Sequence, residues 1–185
     1  MAPDGRIPLL VLGLGNLLCG DDGVGPAAVS LLTRTFEIPE GVSVLDGGTL
    51  GLSLLPYIED AEHVLLVDAV RADQAAGSFV RLEGDDVAPA VRSRLSVHQI
   101  GVADLLDGAR WRGRYPARLT LLGLVPETLE LGLTRSAIVE AGLPVLVARI
   151  VGEARALGYQ FRPKASDDSH LSGSAADVAR AFGLP

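Results

Sequence analysis

The chain alternates between short unbroken apolar runs and longer stretches in which apolar residues recur every three or four positions. Ile7–Leu12, His63–Val67 and Arg118–Val125 are runs of the first kind, and runs this short and apolar predict strands buried on both faces of a sheet. Val42–Leu45 predicts a further short strand and Ser78–Leu82 an edge strand, with a turn over Glu83 to Asp86. Helical spacings fill the intervals. Val24, Ala27, Ala28, Leu31, Leu32 and Phe36 fall at i, i+3, i+4, i+7, i+8 and i+12, one face of a helix with Pro26 in the tolerated first turn. Leu50–Ile58 has helical character limited by Pro56, and Ser96 to Leu106 reads as a loop entering a helix. Thr134–Leu157 predicts a helix capped by Thr134 and kinked or split at Gly142 and Pro144. Strands alternating with helices imply an α/β three-layer sandwich, a twisted, largely parallel sheet of about five strands with helices on both faces.

The length of 185 residues suits one domain with a proper core. The polar turn after Phe161 divides the chain into a domain at 1–161 and a tail at 162–185, expected to be mobile apart from a short helix at Ala175–Phe182. The 48% hydrophobic content and mean hydropathy of +0.33 fit strands covered on both sides. A net charge of −7 argues against nucleic acid as a partner, because phosphate contacts need clustered Lys and Arg. The densest basic group, Arg110, Arg112, Arg114 and Arg118 around Trp111 and Tyr115, reads as a solvated face or a partner-contact rim. Cys19 is the only cysteine, so an intrachain disulfide is impossible and a reducing compartment is expected. Leu17-Leu18-Cys19-Gly20 fails as a lipoprotein cleavage site, with Leu18 too large before the cysteine and glycines interrupting the apolar run. No apolar run reaches the roughly 18 residues of a membrane span. These features predict a cytoplasmic monomer without membrane insertion.

The chemistry begins at Gly13-Leu14-Gly15-Asn16-Leu17-Leu18-Cys19-Gly20-Asp21-Asp22-Gly23-Val24-Gly25. A glycine loop between a strand and a helix ordinarily welcomes phosphate through backbone N–H groups and the helix dipole. Asp21 and Asp22 would repel one. Leu18 stands where a GxGxxG loop needs glycine, and Asp21 where a Walker loop needs lysine, so nucleotide binding is excluded on residues. A loop that lets something approach its backbone yet is negative at its tip suits a cation. Ligands of parallel sheets bind beyond the carboxyl ends of the strands, and Asp22, Asp46 and Asp68 each follow a different strand. Asp68 closes a buried run, where a carboxylate is costly unless paired, hydrogen-bonded or bound to a cation. One of Asp21 and Asp22 is expected to cap the following helix and the other to be available for chemistry. Asp46 before Gly-Gly-Thr either forms an Asx turn or joins the site.

Of the histidines, His63 opens a strand and His170 lies in the polar tail, so both read as structural or solvated. His98 enters the helix after a loop, where a surface role and a ligand role both stand. Two carboxylates with one imidazole would make a three-ligand site with open positions, suited to Ni, Zn, Fe or Mn.

The ordered motifs Gly13-x-Gly15-Asn16…Asp21-Asp22-Gly23-x-Gly25, Asp46-Gly47-Gly48-Thr49-x-Gly51, Asp68-Ala69-Val70 and His98-Gln99-x-Gly101 closely resemble the hydrogenase maturation endopeptidases. The resemblance runs from about Leu9 to about Leu157 and takes in Leu119–Glu127 and Gly132-Leu133-Thr134. It implies an endopeptidase that removes the C-terminal extension from the precursor of the nickel–iron hydrogenase large subunit after nickel insertion. On that resemblance Asp22, Asp68 and His98 are the metal-contacting and catalytic residues, with Asp22 the shorter of the Asp/Glu choices. Asp46, Gly47 and Thr49 match a segment tied to substrate selection. The nickel is implied to be the one the precursor carries, either taking part in hydrolysis or only licensing docking while a carboxylate such as Asp46 acts as base. A non-catalytic maturation chaperone that binds the C-terminus of the hydrogenase large subunit is the rival expectation, and Cys19 is not expected to act as nucleophile.

Overall fold

The computed structural model describes residues 5–92 and 101–164. In chain order these form β1 (Ile7–Leu14), α1 (Val24–Thr35), β2 (Phe36–Glu37), β3 (Val42–Gly48), α2 (Leu55–Glu59), β4 (Ala61–Ala69), β5 (Phe79–Glu83), α3 (Val87–Arg92), α4 (Val102–Trp111), β6 (Arg118–Leu124), α5 (Ala137–Ala156) and β7 (Arg162–Pro163). Five strands make the main sheet in the order β3-β1-β4-β6-β5. The first four are mutually parallel, and β5 runs antiparallel along the edge of β6. The expected α/β sandwich is what the chain forms.

Alternation along each strand divides the core into two halves. Leu9 and Val11 of β1, Leu65 and Val67 of β4, and Leu122 and Leu124 of β6 face α1 and α5. Leu10 and Leu12, Val64 and Leu66, and Leu119 and Leu121 face α2, α3 and α4. Leu9, Leu10, Val11 and Leu12 are all fully buried, and each leucine withdrawn from water contributes about 2 kcal/mol. This explains why β1 reads as continuous apolar sequence rather than as an alternating strand.

Several local expectations give way to tertiary packing. α5 is one helix of 20 residues in spite of Pro144. Leu143, Leu146, Val147, Ile150 and Ala154 anchor it in the core, and that burial outweighs the about 3 kcal/mol a helix-interior proline costs. Gly142 does not break the helix. It lets α5 cross close to β6, where an added Cβ would lie 2.8 Å from Leu124 Cδ1. The cap is Ser136, whose Oγ accepts from the Val139 N–H, and not Thr134. Leu50–Ile58 resolves into a 3-10 turn at Gly51–Leu54 followed by α2. Arg162–Pro163, assigned to the tail, pairs with Phe36–Glu37, and the Lys164 N–H donates to the Thr35 carbonyl. The rest of the tail, with His170 and the Ala175–Phe182 helix, lies outside the described residues.

The arginine group is spent within the chain. Arg110 pairs with Asp85 (3.1 Å), Arg112 with Glu59 (2.8 Å), Arg114 with Asp60 (2.7 Å) and Arg118 with Glu83 (3.8 Å). The face is a neutralised one. No described helix is long and apolar enough to cross a membrane.

Candidate active site

Parallel register brings the three acidic strand ends to one edge. Gly13 of β1 lies beside Asp46 of β3 on one side and Val67 of β4 on the other, so Asp68 emerges next to the glycine loop. The loop's glycines serve the chain's own backbone. A Cβ on Gly25 would stand 2.2 Å from the Leu14 carbonyl and 2.3 Å from that of Val67, and one on Gly13 would stand 2.7 Å from the Gly25 carbonyl. α1 therefore starts almost in contact with β1 and β4. Gly15, at φ +127°, lies against both acidic elements: its Cβ would be 1.8 Å from the Asp22 carbonyl and 3.6 Å from Asp68 Oδ1.

Asp22 and Asp68 both line a cavity of about 380 Å³. Asp22 is half-buried, and its Oδ2 accepts the Asn16 N–H at 2.7 Å. Asp68 is 1% exposed, and its Oδ1 accepts the Ala69 N–H at 2.9 Å. No described helix starts directly after Asp68, so its carboxylate caps none. Thr49 and Gly51 form part of the wall from the β3 side, Gly101 and Val102 from the start of α4, and Pro126 and Leu129 from beyond β6. Asp46 Oδ1 accepts the Gly48 N–H at 3.0 Å, the Asx turn that was one of its two readings. Gly47 is buried where a Cβ would strike Leu12 and Leu54. His98 lies outside the described residues, as do Ser96 and Gln99. Among the described residues no group of three His, Cys, Asp or Glu closes on a metal position, so the described chain brings two of the three expected ligands to one cavity.

The two adjacent acids separate cleanly, though neither caps α1, whose N-cap is Gly23 without a side-chain cap. Asp21 turns inward and is fully buried. Its Oδ1 accepts the Ser136 N–H (2.7 Å), and its Oδ2 accepts the Glu127 N–H (2.9 Å), the Thr128 N–H (3.1 Å) and the Ser136 hydroxyl (2.9 Å). Burial alone would push its carboxyl up, but the donors from Ser136, Thr128 and Glu127 together hold it below the ordinary 3.8. A carboxyl with a lowered native pKa stabilises the fold above the unfolded value, and that stabilisation is lost as pH falls through the native one. Thermal melts from pH 6 down to pH 3 are expected to fall less steeply below pH 4 for Asp21→Asn than for the wild type. Parallel curves would contradict this.

Sequence reading gave no role of their own to three residues here. Asn16 shapes the loop, accepting the Leu18 N–H at Oδ1 (3.0 Å) and donating from Nδ2 to Cys19 Sγ (3.3 Å). Exposed Arg71 stands between the cavity and a more open groove bordered by Gln74, Glu127 and Thr128. Ser136 joins Asp21 to the start of α5. A Gly-Asn pair after a strand and an arginine three residues beyond Asp68 were the available signals for the first two. Nothing local marks Ser136.

Residues 26–153 match the family described as hydrogenase maturation protease. The chain is 33% identical over 157 residues to the hydrogenase 2 maturation protease of Escherichia coli strain K12, spanning 84% of this chain and 96% of that one. The structure of the hydrogenase maturating endopeptidase HybD from E. coli superimposes with a TM-score of 0.80 at 34% identity, covering 85% of this chain and 98% of its own. A [NiFe] hydrogenase maturation protease from Thermococcus kodakarensis gives 0.61 at 25% identity, over 80% of this chain and 99% of its own. A buried carboxylate and its half-buried neighbour, set by close-packed glycines at the edge of a HybD-like sheet, thus accompany a match over most of the chain: the protein belongs to the hydrogenase maturation protease family and is an endopeptidase.

Proposed function

We propose that this endopeptidase trims the C-terminal extension of a nickel–iron hydrogenase large-subunit precursor, and that it does so only once the precursor carries nickel. The observation behind this reading is that Asp22, from the turn that follows β1, and Asp68, from the end of β4, line one cavity, with Asp68 nearly sealed from water. A buried carboxylate is stabilised by a cation, and oxygen donors suit a divalent ion that a substrate presents. His98 is the third donor in this reading. It precedes Gly101, which lines the cavity, by three residues, and three residues reach at most about 10 Å. The carboxylates hold the nickel-bearing part of the substrate so that the scissile peptide lies across the cavity. One water is consumed, one peptide bond breaks, and the products are the shortened protein and a free C-terminal peptide. Asp46 and Thr49, on the β3 side, are the proposed substrate-selecting residues.

Mass spectrometry tests the reading directly. Nickel-loaded and nickel-free precursors are each incubated with a trace of the protein. Loss of a C-terminal peptide from the nickel-loaded sample alone is the expected result. Equal cleavage of both samples would remove nickel gating, and binding without cleavage would make the cavity a docking device.

A further inference from the structure

The proposed reaction leaves Asp21 unused, although its carboxylate accepts hydrogen bonds from Glu127, Thr128 and Ser136 directly beside the cavity-lining Asp22. These partners lie 106 to 115 positions away in the chain. They occupy both ends of the segment between β6 and α5, Glu127 and Thr128 at one end and Ser136 at the other. The same two stretches meet again through backbone: the Gly20 N–H donates to the Gly132 carbonyl (2.9 Å), the Gly132 N–H to the Leu18 carbonyl (2.9 Å) and the Asp21 N–H to the Thr128 carbonyl (3.2 Å). The segment so held carries Leu129 on the cavity wall, and also Leu131 and Leu133, 88% and 78% exposed. Asp22 follows Asp21 directly within the 3-10 turn Gly20–Gly23.

We infer that Asp21 is a positioning residue: it locks the 127–136 segment to the turn bearing Asp22, so that the cavity wall and the carboxylate move as one body. A polypeptide resting against Leu131 and Leu133 is then held in register with Asp22. The backbone contacts alone would leave the Ser136 end of the segment hinged, whereas one carboxylate gripping both ends closes it into a rigid loop. Asparagine cannot substitute, because its NH2 group would face either the Ser136 N–H or the three donors at Oδ2, donor against donor. The inference rests on the proposed reading only for the identity of the substrate.

Hydrogen exchange and steady-state cleavage of the nickel-loaded precursor, applied to the whole protein, form the test. Asp21→Asn is expected to speed amide exchange about tenfold in both 16–23 and 127–136, with the interior of α5 unchanged. Its kcat is expected to fall about a hundredfold while KM stays within about threefold. Ser136→Ala, which removes the hydroxyl donor to Asp21 together with the α5 cap on the Val139 N–H but keeps the Ser136 N–H donor, shifts both readouts the same way by less. Ile150→Ala, a core truncation far along α5 from Ser136, supplies a comparison at matched thermal stability. Faster exchange in only one segment, or an equal fall in kcat for Ile150→Ala, overturns the inference. A wild-type protein that leaves the precursor intact removes the proposed substrate instead, and the exchange arm still decides the tether.

Discussion

Asp68→Asn is expected to fold, to melt within a few degrees of the wild type, and to cleave the precursor at least about a thousandfold more slowly. The substitution preserves shape, and an amide oxygen at the Oδ1 position still accepts the Ala69 N–H. What disappears is the acidic group itself, in a place that is 1% exposed. Side-chain volume and the bond from the Ala69 N–H are both kept, so the fold is expected to survive the change. Activity moves the other way, because a neutral amide is a poor ligand for a divalent ion and cannot take up a proton as a base. Thermal melts alongside cleavage assays separate the two effects. Undiminished cleavage by Asp68→Asn would take Asp68 out of the reaction and with it the two-carboxylate reading of the cavity.

The second large effect belongs to a residue without a side chain. Gly25→Ala places a methyl 2.2 Å from the Leu14 carbonyl, 2.3 Å from the Val67 carbonyl and 2.6 Å from the Leu14 nitrogen. All three are backbone atoms of the interior strands β1 and β4, so nothing flexible can yield. α1 must lift from β1 and β4, taking Val24, Ala28, Val29 and Leu32 partly out of the core. A loss above about 4 kcal/mol is expected, enough to leave little folded protein. Gly152→Ala is the matched control. Gly152 sits in α5 with nothing within 4 Å of a Cβ, and the change should add up to about 1 kcal/mol through helix propensity alone. Urea unfolding of the pair reads both values. If Gly25→Ala were as stable as the wild type, the near-contact of α1 with the sheet would be wrong.

These two sites also mark where sequence was informative and where it was not. The strands were legible because a strand covered on both faces must be apolar along its buried stretch, as Leu9–Leu12 of β1, Val64–Val67 of β4 and Leu121–Leu124 of β6 are. Asp68 was legible for the same reason, as an acid at the end of such a run. Asp21 and Asp22 could not be told apart: they share every local property, and what divides them is a set of donors more than a hundred residues away. The glycines misled in an instructive way. Close approach of a helix to a sheet and close approach of a phosphate to a backbone both demand a missing Cβ, and only the neighbouring atoms reveal which one applies. Pro144 and Gly142 pointed to a broken helix because propensity is local, whereas the core contacts of α5 are not. No spacing rule singled out His98, and the motif around it carried the assignment.

The strand order has a bearing on how the enzyme is made. β6 lies between β4 and β5 in space but is synthesised after both, so β5 waits on the nascent chain for its partner. Asp22 and Asp68 leave the ribosome in the first half of the chain, yet Glu127, Thr128 and Ser136, the grip on the Asp22 turn, follow much later. A translation product interrupted before Ser136 carries both acids and lacks the frame that aligns them. On the inference drawn above, the Asp22 turn is thus framed only once synthesis is well advanced, an ordering that comes from topology alone.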